Sequence, residues 1–208
     1  MLLKKSFIVF FLIILTSCSS ADSREEKILK YSDDKEKQNK YEIYLVNTDN
    51  YTTIGAEYHN KYYQYLIGIA RSVTEEKNIS IAEKSIGYYY DKREDKKNKL
   101  YLGIDINVPP DISPGNSPYQ TIALSQLRKY LTDILYILQS CRTIFVEKEI
   151  VGSVIGVRWV RETVTESVTI WIDKHDVMRF EAKELTFDEI IQRNFITNTE
   201  GKIIRLLR

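Results

Sequence analysis

The sequence predicts an α+β fold, a mostly antiparallel sheet packed by one medium and one long helix. Leu100, Leu102, Ile104, Ile106 and Val108 alternate with Tyr101, Gly103, Asp105 and Asn107, the period of a strand with one buried face. Leu124, Leu127, Leu131, Ile134, Leu135, Leu138 and Cys141 recur at three and four residues, the period of a helix with a wide apolar face. The remaining β-rich runs are short and bounded by turn residues, so the helices segregate against the sheet.

In chain order, residues 41–46 (YEIYLV) are rich in β-formers and end at Asn47, which with Asp49 and Asn50 supplies turn chemistry. Tyr58, Tyr62, Tyr65, Leu66, Ile69, Ala70 and Val73 then place a first helix over 56–77. Residues 79–90 read as a strand whose alternation breaks at Glu83 to Ser85. The charge run 91–99 is a solvated turn, and the strand over 100–108 follows it. All four prolines fall in the next ten residues, as Pro109, Pro110, Pro114 and Pro118. Proline fixes φ and removes a donor, so this stretch is a stiff loop. Ser117 as N-cap and Pro118 as first helical residue open the long helix, about 25 residues or roughly 37 Å.

After that helix, residues 144–161 are β-rich, with Gly152 and Gly156 suggesting a bend or bulge that splits the run. Val168, Ile170 and Ile172 alternate into Asp173-Lys174-His175-Asp176, a turn leading to a partner strand over Val177 to Ala182. Thr186 to Glu189 fits a capping box for a short helix over Ile190 and Ile191. Asn198 to Gly201 is a turn, and 203–207 a last strand. The first six elements run β-α-β-β-α-β, an order compatible with a ferredoxin-like split β-α-β core.

The amino terminus carries the most specific signal. Lys4 and Lys5 precede an apolar run from Phe7 to Leu15, too short to span a bilayer, which needs about 20 apolar residues. The run closes on Leu15-Thr16-Ser17-Cys18, a tetrapeptide that resembles the lipobox of bacterial lipoproteins. That resemblance covers residues 1 to about 20. It implies removal of residues 1–17, a diacylglyceryl group on the Cys18 sulfur and an acyl group on the new amino terminus. Ser19, in place of an Asp after the cysteine, favours the outer membrane by the same resemblance. Residues 18–40 then form a lipidated, flexible polar tether, and 41–208 a single domain.

Composition narrows the partners. The precursor has 30 basic and 29 acidic side chains, and losing Lys4 and Lys5 leaves 28 against 29, a net charge of −1. Such balance argues against nucleic acid, whose phosphates demand clustered Lys and Arg. With Cys18 lipidated, Cys141 has no disulfide partner in the chain; it falls on the apolar helix face and reads as a small buried hydrophobe. The only histidines, His59 and His175, lie outside any metal-ligand spacing, and no glycine-rich phosphate loop or nucleophile elbow is present. No metal or cofactor is therefore expected. His175 reads as part of a polar turn, and His59 as a half-exposed flank of the tyrosine face.

Asp105, mid-strand beside the stiff loop, and Asp111 within it are the two carboxylates that an envelope hydrolase would use. No second carboxylate can be placed opposite Asp105 from sequence, and a solvated strand residue is the simpler account. The 15 tyrosines are the compositional excess. Tyr58, Tyr62 and Tyr65 are spaced as a core stripe, which leaves Tyr63, Tyr89, Trp159 and Trp171 as candidates for a binding face. The expectation is a membrane-anchored module that binds another envelope protein or a cell-wall glycan. A hydrolase is its alternative.

Overall fold

The computed structural model describes residues 23–29, 35–92, 97–109 and 117–206, and it is an α+β protein with a seven-stranded, mostly antiparallel sheet. The lipobox-like tetrapeptide with Cys18, and Asp111 in the proline loop, lie outside the described residues. Seven strands form the sheet: β1 (Ser80–Ile81), β2 (Gly87–Tyr89), β3 (Leu100–Asn107), β4 (Ile150–Arg161), β5 (Val164–Asp173), β6 (Phe195–Asn198) and β7 (Ile203–Ile204). Their order is β1-β3-β4-β5-β6-β7, with β2 beside β1 on the same edge of β3. Every pairing is antiparallel except β3 with β4.

That parallel pair sets the topology. A parallel neighbour requires a long crossover, and the helix α5 (Tyr119–Gln139) supplies it. Because β3 and β4 are adjacent, nothing is inserted between them, and the sheet departs from the split β-α-β of a ferredoxin-like core. The strand expected over 41–46 is also absent. Helix α2 (Lys35–Glu42) runs into that stretch, and only Leu45 makes a lone parallel bridge, to Ile86. Local β-propensity is overridden because the Tyr41 hydroxyl donates to Glu75 and its ring is buried against the core.

Other elements keep their sequence signatures. Thr52 caps α3 (Thr53–Lys61) by accepting from the Gly55 amide at 3.1 Å. α4 (Tyr63–Arg71) continues it after a kink at Tyr62 and ends in a π-helical turn, Ser72–Glu76. The break at 83–85 separates β1 from β2 as the alternation implied. α5 is shorter than expected, 21 residues, with Pro118 rather than Ser117 as its N-cap and Ser140 as its C-cap, and a single turn α6 (Arg142–Phe145) follows. Cys141 between them is fully buried, and burial pushes its thiol pKa up, so it behaves as a hydrophobe.

Two stretches differ in kind. β4 is continuous, so Gly152 and Gly156 do not split it, although the register against β3 shifts between Ile150 and Gly152, an irregularity of the kind expected there. The hairpin is β4–β5, and the expected strand over 177–182 is instead helix α7 (Lys174–Glu181). Asp173 starts α7 as its N-cap, accepting from the His175 amide at 2.8 Å. Asp176, buried, then takes two hydrogen bonds from Arg193 Nε at 3.1 Å, tying α7 to the capping-box helix α8 (Phe187–Arg193).

The core lies between one sheet face and the helices. Leu102, Ile104 and Ile106 of β3, Ile155 and Val157 of β4, and Val168 and Ile170 of β5 meet Leu127, Leu131, Ile134 and Leu138 of α5. A tyrosine belt closes one end of this layer. Tyr58 donates to Glu149 at 2.6 Å and Tyr62 to Glu147, so buried rings keep solvated tips. His59 is buried in the same belt, its ring 5.5 Å from Tyr51 and 6.2 Å from Tyr63, and is not the half-exposed flank its spacing suggested.

Burial lowers the His59 pKa, and this fixes a pH dependence. Above about pH 6.5 the imidazole is neutral in both the folded and unfolded chain, and stability is full. As pH falls below that value the unfolded chain binds the proton first, so stability declines until the folded pKa is passed. Urea midpoints at pH 7.5 and 5.0 are expected to differ less in His59→Phe than in the wild type. An equal difference would place the loss elsewhere.

Candidate functional site: the open sheet face

The second face of the sheet carries a polar groove of about 400 Å³ to whose lining no described helix contributes. Cross-strand register builds it in rows. Asp105 of β3 lies opposite Gly156 of β4, which faces Thr169 of β5 and then Thr197 of β6. One row along, Gly103, Val154, Trp171 and Phe195 align; on the other side are Asn107, Arg158 and Ser167. A row of hydroxyls therefore runs between an aromatic row and a charged one.

Glycine makes the trough. A Cβ on Gly156 would stand 2.1 Å from Asp105 Oδ1, so the carboxylate leans across that strand where no side chain rises. There it pairs with the Arg158 guanidinium, both groups partly exposed to the groove. Tyr101 crosses Gly152 in the same way and meets Trp171 edge-on, ring centroids 5.0 Å apart; Trp171 stacks on Phe195 at 5.5 Å. The rim beyond β6 is Asn198, Thr199 and Gly201. The Thr199 hydroxyl accepts from the Ser167 amide at 2.8 Å, which fixes that rim to β5.

Of the residues expected to bind, the fold brings two to this face. Trp171 lines the groove, and Tyr89, half-buried, lies over Gly103 with its hydroxyl donating to Ser85 O at 2.6 Å. Burial is the first cause that raises the Tyr89 pKa, with the Asp105 charge second. Trp159 is placed otherwise: it is 1 % exposed, on the helix-covered face against Tyr119, its Nε1 donating to Glu166. Tyr63 is also remote, half-buried beside His59 with its hydroxyl on Glu42. Arg158, Ser167, Thr169, Thr197 and Thr199 also line the groove and carry no motif of their own, although Thr165, Ser167, Thr169 and Trp171 alternate as a polar row in β5.

Chemically, the groove offers one acceptor charge, one donor charge, hydroxyls that do both, and the flank of an indole. Asp105 is the one carboxylate among its lining residues, and no cluster of three or more His, Cys, Asp or Glu among the described residues is placed to hold a metal. Comparison with protein-family models, with curated proteins and with solved structures finds no match to this chain.

Proposed function

We propose that this chain is a lipid-anchored module of the bacterial envelope that binds cell-wall glycan on the open sheet face. The observation that carries this reading is the groove around Gly156, where Asp105, Arg158, Thr169 and Thr197 surround a floor without a side chain and Trp171 stands beside it. A polyhydroxylated ring needs both donors and acceptors in its plane and an apolar flat surface beneath. The groove provides both. The amino-terminal resemblance to lipoproteins supplies the anchor on Cys18 and the envelope location, with the outer membrane favoured.

Hydrolysis is the less supported alternative. A glycosidase needs two carboxyl groups flanking the bond, and Asp105 is held by Arg158 with no second carboxylate in the groove lining. Titration of soluble peptidoglycan fragments into the chain tests the proposal. Binding is expected, and Trp171→Ala or Arg158→Ala should weaken it about tenfold, the 1.4 kcal/mol of one stacking or charged contact; Arg158→Ala should leave thermal unfolding near wild type, whereas Trp171→Ala also loses its rings' contacts with Tyr101 and Phe195. No binding by the wild-type chain would sink the glycan reading in favour of a protein partner. Turnover abolished by Asp105→Asn would favour the hydrolase.

A further inference from the structure

The segment between the anchor and the domain is not all tether. Residues 23–29 form a helix, α1, packed on the outside of the helical layer. Ile28 is 5 % exposed and seats on Gly68 of α4, where a Cβ would come within 2.3 Å of Ile28 Cγ2 and 2.7 Å of its carbonyl oxygen. Glycine at 68 is what admits the helix. Around that contact Arg24 lies over the Tyr136 ring at 5.2 Å, Lys27 pairs with Glu76 at 3.1 Å, and the Thr143 amide donates to Glu25 at 3.1 Å. The expected flexible tether over 18–40 is thus interrupted by a docked helix and by α2.

We propose that α1 is a clip that orients the anchored domain, holding its helical layer toward the lipid headgroups and its open sheet face away from them. The proposal rests on lipidation of Cys18. From Cys18 to Ser23 there are five residue steps, which span at most about 18 Å fully extended. Each packed layer adds about 10 Å, so α1 stands about 20 Å from the sheet, with the α4 and α5 layer between. A leash of that length, starting from the outer layer, does not reach around the body to bring the groove onto the membrane. The groove then faces what the membrane does not hold: the glycan layer.

The test uses full-length lipidated chain in phosphatidylcholine and phosphatidylglycerol vesicles that carry a headgroup-attached quencher. A fluorophore is placed on a single introduced cysteine, at Thr132 on the outer side of α5 or at Thr165 on the open face, both exposed. Buried Cys141 does not compete for label. Quenching several-fold stronger at 132 than at 165 is expected. The difference should shrink toward equality in Gly68→Leu, which evicts Ile28. It should shrink equally when about 20 Gly/Ser residues are inserted after Ser20, a change that leaves every packed contact in place. Equal quenching in the wild type, or a difference that survives the insertion, overturns the orientation. Mass spectrometry of Cys18 separates the anchor from the clip: a chain without lipid overturns the anchored reading, whereas a lipidated chain with equal quenching overturns the clip alone.

Discussion

Trp159→Ala is expected to lower the unfolding free energy by about 3–5 kcal/mol and to leave glycan binding by the surviving folded fraction unchanged. The indole is 1 % exposed, packs against Tyr119 with ring centroids 5.6 Å apart, and donates to Glu166 at 2.9 Å. Truncation therefore empties a large volume on the covered face and removes one hydrogen bond from the Glu166 carboxylate, which keeps Arg161 at 3.7 Å. Against a total stability of about 5–15 kcal/mol the loss is a large fraction, and Tm should drop by about 10 °C or more. Trp159→Phe keeps most of the volume and loses only the N–H, so about 1–2 kcal/mol is expected from it. Guanidinium unfolding of the three proteins checks the order. A stable Trp159→Ala chain that no longer bound glycan would return this residue to the binding role its sequence position suggested.

The two tryptophans separate because side chains alternate strictly along a strand, and that parity was available in the sequence. Counting by twos from Ile155 gives Val157 and Trp159, all on the helix-covered face. The count fails only if β4 is broken at Gly156, and the glycines suggested such a break. In fact they allow Asp105 and Tyr101 to lie across the strand, a tertiary reason that no local pattern carries. β3 was legible because its alternation spans the whole strand, and α5 because its apolar stripe persists for several turns. α7 was not: it is eight residues long, and its apolar residues Val177, Met178 and Phe180 are too few to fix a period, 177 with 180 fitting a helix and 178 with 180 a strand. Its other helical signal was Asp173 as N-cap, which is equally a turn residue.

The groove itself was legible only in halves. The Thr-Ser-Thr-Trp alternation of β5 marks a polar face, and Asp105 marks another, but nothing local says that they share a floor. Their union depends on the parallel register that sets Asp105 opposite Gly156 and on the antiparallel one that sets Gly156 opposite Thr169. Register of this kind follows from how α5 crosses the sheet, a property of packing between distant segments. The tyrosine excess is explained by the same packing. Tyr41, Tyr58 and Tyr62 bury their rings at the helical end of the core, Tyr63 half-buries its own, and their hydroxyls donate to Glu75, Glu149, Glu147 and Glu42.

Gly152→Ala and Gly156→Ala are expected to have opposite consequences although both lie on the same face of β4. A Cβ at 152 would stand 2.0 Å from the Ile172 carbonyl oxygen and 3.0 Å from its carbon, and that neighbour is backbone fixed in the β5 ladder. The strands must separate locally to admit it. Overpacking of this sort costs about 1–3 kcal/mol, and a rigid neighbour puts this case at the upper end, beyond the 0.4–1 kcal/mol that alanine recovers from the unfolded chain. At 156 the atom in the way is Asp105 Oδ1, the tip of a side chain that can rotate. There the loss of a partly exposed ion pair, about 0–1 kcal/mol, is offset by the same unfolded-state term, and stability should stay near wild type. What changes is the groove, because the displaced carboxylate no longer leans over the floor beside Arg158. Unfolding midpoints with fragment titrations on both variants distinguish the roles: Gly152→Ala should be destabilised with binding intact in the folded fraction, Gly156→Ala stable with binding weakened. Equal destabilisation of the two would mean that the floor of the groove is held for packing alone, and the glycan reading would lose the observation it stands on.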